Sequence, residues 1–197
     1  MEKNVLKNIV PDLGQMLSQL ETLPSICHCD KRPGPVHAAV AVVLVECEGP
    51  CVLFIKKREH EGYDWSGHMA FPGGRIDKED ESSFAGAIRE LEEEVGLPPE
   101  SVEALGSLGC FSTLSKSLIV EAFPLLWRGT DKLVPLDSEM EWLSVEPLAP
   151  FIKHHFKMGF NGKPHQKLGS ELTYPLGKQT VWGLSARILH TLIERLQ

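Results

Sequence analysis

Between Arg75 and Glu94 the chain places eight carboxylates, Asp77, Glu79, Asp80, Glu81, Glu90, Glu92, Glu93 and Glu94, against three bases, Arg75, Lys78 and Arg89. That segment alone carries a charge of -5 out of a formal total of -7, so it either binds cations or forms a solvated helix face. At about 100° per residue around a helix, Phe84, Ile88, Leu91 and Val95 share one narrow sector, and Glu90, Glu93 and Glu94 are expected nearly opposite. Like charges three and four residues apart repel by a few tenths of a kcal/mol per pair. A bound cation removes that repulsion. Oxygen donors on a rigid helix suit a hard ion, Mg2+ or Mn2+, better than zinc, and such ions commonly bridge protein carboxylates to phosphate groups.

Just upstream lies Phe71-Pro72-Gly73-Gly74-Arg75. Paired glycines let the backbone turn tightly and bring an amide or carbonyl close to a ligand, so Gly73 and Gly74 are candidates for that contact. Arg89 directly precedes Glu90 and is placed to hold a neighbouring carboxylate by charge-assisted hydrogen bonds. Lys57, Arg58, Arg75 and Lys78 flank the glycines in sequence and are candidates for phosphate contacts, although each alone is more commonly a surface charge. His68, Tyr63 and Trp65 are weaker candidates, with Tyr63 and Trp65 suited to stacking on a base.

The elements that must position these groups follow from periodicity. Ser82 to Val95 is helical and Gly96-Leu97-Pro98-Pro99 stops it. Ala38 to Glu46 and Cys51 to Lys57 are rich in β-branched residues and read as two strands joined by Cys47-Glu48-Gly49-Pro50. Gly67 to Gly74 reads as a short strand ending in a glycine loop, with further strands at Val102 to Leu108 and Ser117 to Trp127. Trp142 to Leu148 reads as a strand running into a loop. Val181 to Leu196 is a terminal helix with Leu184, Ile188, Leu192 and Leu196 on one side, and Ile9 to Leu23 is an amphipathic helix that packs on the domain or on a partner, as in a homodimer. Pro24 to Pro35 is then a linker, which divides the chain into an extension over 1–35 and a domain over 36–197. The element order suits an α+β fold, a mixed β-sheet between α-helices.

With 197 residues, 42% hydrophobic and 24% charged, the chain has the composition of an ordinary globular protein. The acidic balance argues against a nucleic-acid surface, which needs a basic stripe. The longest apolar run, Ala38 to Val45, is too short to span a bilayer, and the first residues lack the apolar stretch of a secretory signal, so no membrane association and a cytoplasmic location are expected. Five cysteines, Cys27, Cys29, Cys47, Cys51 and Cys110, have no disulfide-framework spacing and are read as free thiols of a reducing compartment.

Arg89-Glu90-Leu91-Glu92-Glu93-Glu94-Val95-Gly96-Leu97 matches the second half of a known signature, G-x5-E-x7-R-E-U-x-E-E-x-G-U with U a bulky apolar residue, and in it the chain resembles the Nudix hydrolases. The first half departs: Asp80 follows Gly74 where a glutamate is usual, and one extra residue separates it from Arg89, so Asp80 or Glu81 must replace the missing glutamate. A subgroup similar to coenzyme A pyrophosphatases carries the same expansion, and Leu53, Arg58, Gly67, Phe71, Pro72, Gly73, Gly74, Asp77 and Asp80 fall in register with its upstream pattern. Lys56, Glu59 and Tyr63 replace that pattern's threonine, small residue and second arginine. The resemblance implies the Nudix fold and a Mg2+- or Mn2+-dependent hydrolase that cleaves a pyrophosphate bond in coenzyme A or acyl-coenzyme A. The alternatives are another nucleoside diphosphate derivative as substrate, or a nucleotide sensor without turnover. It also implies Glu90, Glu93, Glu94 and the Gly73 carbonyl as metal ligands, Arg89 as an orienting residue, and a general base that is either a helix glutamate or a loop residue such as Glu139.

Overall fold

The computed structural model describes residues 10–24, 37–58, 67–113, 118–129, 133 and 140–197. Glu139, Tyr63, Trp65, Cys27, Cys29 and most of the expected linker lie outside the described residues.

Eight consecutive apolar residues, Ala38 to Val45, make the centre of the sheet. Strand β1 (Ala38–Glu46) runs antiparallel to β2 (Pro50–Lys57), with Leu44 opposite Val52. It runs parallel to β7 (Ile119–Trp127), with Ala38 opposite Val120 and Val45 opposite Trp127. On the far side of β7 lie two short antiparallel strands, β5 (Val102–Ala104) and β6 (Gly109–Ser112). The outer edge of β2 is paired by β8 (Met140–Pro147). Among the described strands one parallel pairing, β1 with β7, stands among antiparallel ones and makes the sheet mixed, as expected.

Side chains alternate across a strand, and here both faces are covered. Val42, Leu44, Val52 and Phe54 enter one apolar cluster. Ala39, Ala41, Val43, Leu53 and Ile55 enter the other. On the first face pack α1 (Leu13–Leu20), α3 (Leu148–Lys157) and α5 (Gly183–Arg195), which contribute Met16, Phe151 and Leu192 among others. On the second packs α2 (Ser83–Val95) through Ala87, Ile88, Leu91 and Val95. A strand buried on both faces reads as a continuous apolar run, which is why Ala38 to Val45 contains no polar residue.

Several boundaries differ from the sequence expectation for local reasons. The N-terminal helix begins only at Leu13, because Asp12 caps it reciprocally with Gln15. Its residues Leu13, Met16 and Leu20 join the core of the domain itself. The expected strand from Val102 to Leu108 stops at Ala104, and the next residues lead into β6. The loop expected after Trp142–Leu148 is α3, and a short helix α4 (His165–Leu168) and a hairpin of β9 (Tyr174–Leu176) and β10 (Gln179–Val181) follow. Val181 therefore belongs to the hairpin and not to the terminal helix.

The functional geometry starts where β1 and β2 part. They pair directly only from Leu44–Glu46 to Pro50–Val52. Beyond that, β8 keeps one edge of β2, while β3 (Met69–Ala70) pairs with β2 at Ile55 and Lys56, and β4 (Gly73–Arg75) pairs with β1 at Ala38 to Val40. Residues 69–75 thus fill the fork between the two strands. The glycines expected to form a loop are strand residues. Gly73 has φ +148°, and a Cβ there would sit 2.3 Å from the Ala39 carbonyl oxygen, so only glycine fits this tight pairing.

Candidate active site

Helix α2 is well bounded. The Ser82 hydroxyl accepts the Ala85 N–H at its start, and Gly96, left-handed at φ 77°, closes its end. A second anchor was missed by sequence reading: Glu121 of β7, 1% exposed, accepts hydrogen bonds from the Ser83 hydroxyl at 2.6 Å and the Ser107 hydroxyl at 2.8 Å. The carboxylate lies at the amino end of the helix, where the dipole favours a negative charge.

The three glutamates do not share one solvent-facing flank. Glu94 is 3% exposed, Glu90 is half-buried and Glu93 is exposed. The reason is angular: at 100° per residue Glu94 lies only about 80° from Phe84, on the side of Ala87, and so at the border of the buried face. Its Oε2 accepts the Gly73 N–H at 2.8 Å, and its Oε1 meets the Lys57 ammonium at 3.1 Å. Burial raises its pKa above the ordinary value, with Lys57 and the Gly73 amide opposing the shift. Glu90 is likewise raised by burial, against the opposing charge of Arg89. Its carboxylate packs over Gly74, where a Cβ would lie 2.4 Å from Oε1.

Arg89 holds the group together. Its Nη1 donates to Glu90 Oε1 at 3.1 Å and to Glu93 Oε2 at 3.0 Å, and its Nη2 donates to the Arg75 carbonyl at 3.0 Å. Its Nε and Nη2 also meet the two oxygens of Asp80, each at 3.1 Å. Of the two residues left open by the sequence, Asp80 makes this pairing, while Glu81 is exposed. Asp80 Oδ2 additionally accepts the Asp77 N–H at 2.8 Å and packs against Gly86. The pairing lowers the Asp80 pKa and raises that of Arg89 further above its already high value.

The other sequence candidates scatter. Arg58 donates to the Met140 carbonyl at 3.2 Å and ties β2 to β8. Lys56 pairs with Glu141 at 2.7 Å. Arg75 and Lys78 are exposed beside the glycine strand. Lys57, by contrast, reaches Glu94 at 3.1 Å. The parity of Leu53, Ile55 and Lys57 along β2 already placed it on the face covered by α2.

Among the described residues, no group of three or more His, Cys, Asp or Glu side chains converges into a ready-made ion cage. The donor set nevertheless fits a hard divalent ion. Every candidate is an oxygen, and the buried Glu94 and half-buried Glu90 carboxylates are penalised in their charged form, a penalty that a bound cation would offset.

Two further expectations are revised or bounded here. Cys110 is disulfide-bonded and not a free thiol, whereas Cys47 and Cys51 are free. Burial and the neighbouring Cys47 push the Cys51 thiol up to about 12, so it is inert at neutral pH. Among the described residues no helix is long and apolar enough to cross a membrane.

Residues 35–160 match the NUDIX domain family. The chain is 32% identical over 164 residues to the uncharacterized Nudix hydrolase NudL of Pectobacterium atrosepticum, covering 80% of this chain and 83% of that one. It is 30% identical over 191 residues to Nudix hydrolase 15, mitochondrial, of Arabidopsis thaliana, covering 89% of this chain and 65% of the relative. Among solved structures, a C. elegans Ap4A hydrolase binary complex superposes with a TM-score of 0.49 at 20% identity, over 62% of this chain and 90% of that one. The chain belongs to the Nudix hydrolase family and is an enzyme of its pyrophosphohydrolase class.

Proposed function

We propose that the protein is a Mg2+- or Mn2+-dependent hydrolase of coenzyme A or acyl-coenzyme A, yielding 3',5'-ADP and a phosphopantetheine fragment. The observation that carries this reading is the two-point pairing of Asp80 with Arg89. The one-residue expansion that marks the coenzyme A subgroup needs an acid at this register to replace the usual glutamate, and Asp80 supplies it without disturbing the Arg89 contacts to Glu90 and Glu93.

In this reading Glu90, Glu94, Glu93 and the Gly73 carbonyl hold the metal. When bound, the ion neutralises phosphate charge and lowers the pKa of an attacking water. The work of the chain itself is positional. Gly73 fixes Glu94 through its amide, Arg89 sets the separation of Glu90 from Glu93, and Gly74 leaves room for the Glu90 carboxylate against the strand. Lys57, Arg75 and Lys78 supply positive charge toward the pyrophosphate, and Gly74 its close backbone approach. The proton acceptor is a helix glutamate or the loop residue Glu139. The substrate in this reading is a small nucleotide and not a nucleic acid, the catalytic domain spans 36–197 with residues 1–35 as an extension whose helix α1 packs into that domain's core, and the location is cytoplasmic.

The test is a chromatographic screen of coenzyme A, ADP-ribose, NADH and diadenosine polyphosphates with Mg2+ or Mn2+. Turnover of coenzyme A to 3',5'-ADP is the expected result. Hydrolysis of ADP-ribose with coenzyme A untouched would transfer the assignment to another nucleoside diphosphate derivative.

A further inference from the structure

Trp182 is 44% exposed although its neighbours Val181 and Ala186 are buried. It stands at the junction of β10 and α5 with extended backbone, φ -144° and ψ 177°. Gly183, left-handed at φ 62°, then turns the chain sharply into the helix. An isolated exposed aromatic is ordinary on a protein surface. This one is fixed: its ring meets the His68 imidazole edge to face, with centroids 4.3 Å apart.

The placement of His68 gives the pair its meaning. The Gly67 N–H donates to the Lys57 carbonyl at 3.1 Å, and the Lys57 N–H donates to the His68 carbonyl at 3.3 Å. Two residues therefore oppose one, with Gly67 left-handed at φ 70°, which is a β-bulge. A bulge re-aims side chains, and here it joins two functions across one rung. Lys57 extends to Glu94 at 3.1 Å, and His68 braces Trp182. An aromatic surface thus lies one bulge away from the charged end of the candidate active site. Burial holds the His68 imidazole toward its neutral form, so it braces the indole without adding a competing cation.

We propose that Trp182, braced by His68, is the platform on which the purine ring of a nucleotide substrate stacks, while its phosphates extend past Lys57 toward Glu90 and Glu94. This rests on the nucleotide-hydrolase reading and adds to it the subsite for the base. A flat, neutral, π-rich ring is the ligand an exposed indole recognises, and every purine offers such a face. The pantetheine end of coenzyme A, an aliphatic amide chain, offers none.

The test uses the full chain and adenosine 3',5'-bisphosphate, which has no scissile pyrophosphate, titrated in the presence of Mg2+. Wild-type protein binds it with quenching of indole fluorescence. Trp182→Ala weakens the dissociation constant roughly tenfold, the size expected for one lost base stack, and leaves that of 4'-phosphopantetheine within twofold. Trp182→Phe retains most of the affinity and loses most of the quench, which reads the platform even where the alanine variant folds poorly. His68→Ala weakens binding by a smaller factor. No saturable binding to the wild type, an alanine variant with unchanged affinity, a quench that survives in Trp182→Phe, or a loss confined to 4'-phosphopantetheine would each overturn the platform. Coenzyme A turnover by the wild type is scored separately, so hydrolysis with unchanged Trp182 variants removes the platform and keeps the enzyme.

Discussion

Arg89 and Asp80 lie side by side as a two-point ion pair, Nε to Oδ1 and Nη2 to Oδ2 both at 3.1 Å. The Asp80 side chain is only 6% exposed, while Arg89 remains 27% exposed. The same guanidinium reaches Glu90 and Glu93, so the position of both carboxylates depends on Asp80, a residue ahead of the helix itself. Asp80→Asn removes the charge and leaves the shape. A loss of about 1–3 kcal/mol in urea denaturation is expected, the usual cost of a broken charge-assisted pair in a partly exposed setting. Activity should fall further than stability does. An Asp80→Asn protein with wild-type kcat/KM would mean that the pairing does not position the glutamates.

Gly73 and Gly74 are adjacent and serve different purposes, and alanine separates them. At Gly73 the new methyl would press against the Ala39 backbone oxygen at 2.3 Å, where φ is already +148°. Gly73→Ala should destabilise by several kcal/mol or prevent folding. At Gly74 the clash is with the Glu90 carboxylate, the movable end of a side chain. Gly74→Ala should fold with a loss of about 1 kcal/mol and lose most activity. Thermal melts and initial rates on the two purified variants check this division, and equal stability of the two would contradict it.

Stability should depend on pH with two opposite signs. Glu94 and Glu90 have folded pKa values raised above 4.5, chiefly by burial. The unfolded chain therefore releases these protons first, and stability falls as pH rises from 4.5 through the raised values. Asp80 is depressed below 3.8 by Arg89. Its contribution is present above 3.8 and disappears as pH falls through the folded value. Glu94→Gln should flatten the upper limb and leave the acid limb intact, measured by urea midpoints between pH 3 and 8. An upper limb unchanged in Glu94→Gln would show that the burial of this carboxylate carries no penalty.

A divalent ion that binds only the folded chain must stabilise it. At 100 times its dissociation constant the gain is about 2.7 kcal/mol. Mn2+ should raise the melting temperature of the wild type and leave Glu94→Gln and Glu90→Gln nearly unmoved. Equal shifts in all three proteins would place the ion elsewhere.

Much of this was legible in the chain itself. Runs of β-branched and apolar residues identified β1 and β2, and Ser82 with Gly96 bounded α2 within one residue. What the sequence hid was long-range pairing. Nothing local says that the Gly73-Gly74 segment is a strand, because its partner, Ala38 to Val40, lies more than thirty residues upstream. The border position of Glu94 follows from the same 100° wheel that sets Glu93 opposite Phe84; its partners Gly73 and Lys57 do not. Where a loop was expected after Trp142 to Leu148 stands helix α3, whose prolines Pro147 and Pro150 sit at its cap and first turn, where proline is compatible with a helix. The hairpin of β9 and β10 is too short for periodicity to reveal.

The most direct measurement compares wild type with Glu94→Gln in hydrolysis of coenzyme A under saturating Mn2+, with 3',5'-ADP quantified by chromatography and folding of both proteins verified. The wild type should release 3',5'-ADP and stop when the ion is chelated, and Glu94→Gln should lose at least a hundredfold in kcat, about the effect of removing one strong transition-state contact. Wild-type hydrolysis that persists under chelation, or a glutamine variant that retains the wild-type rate, would contradict the assignment of this carboxylate to the metal.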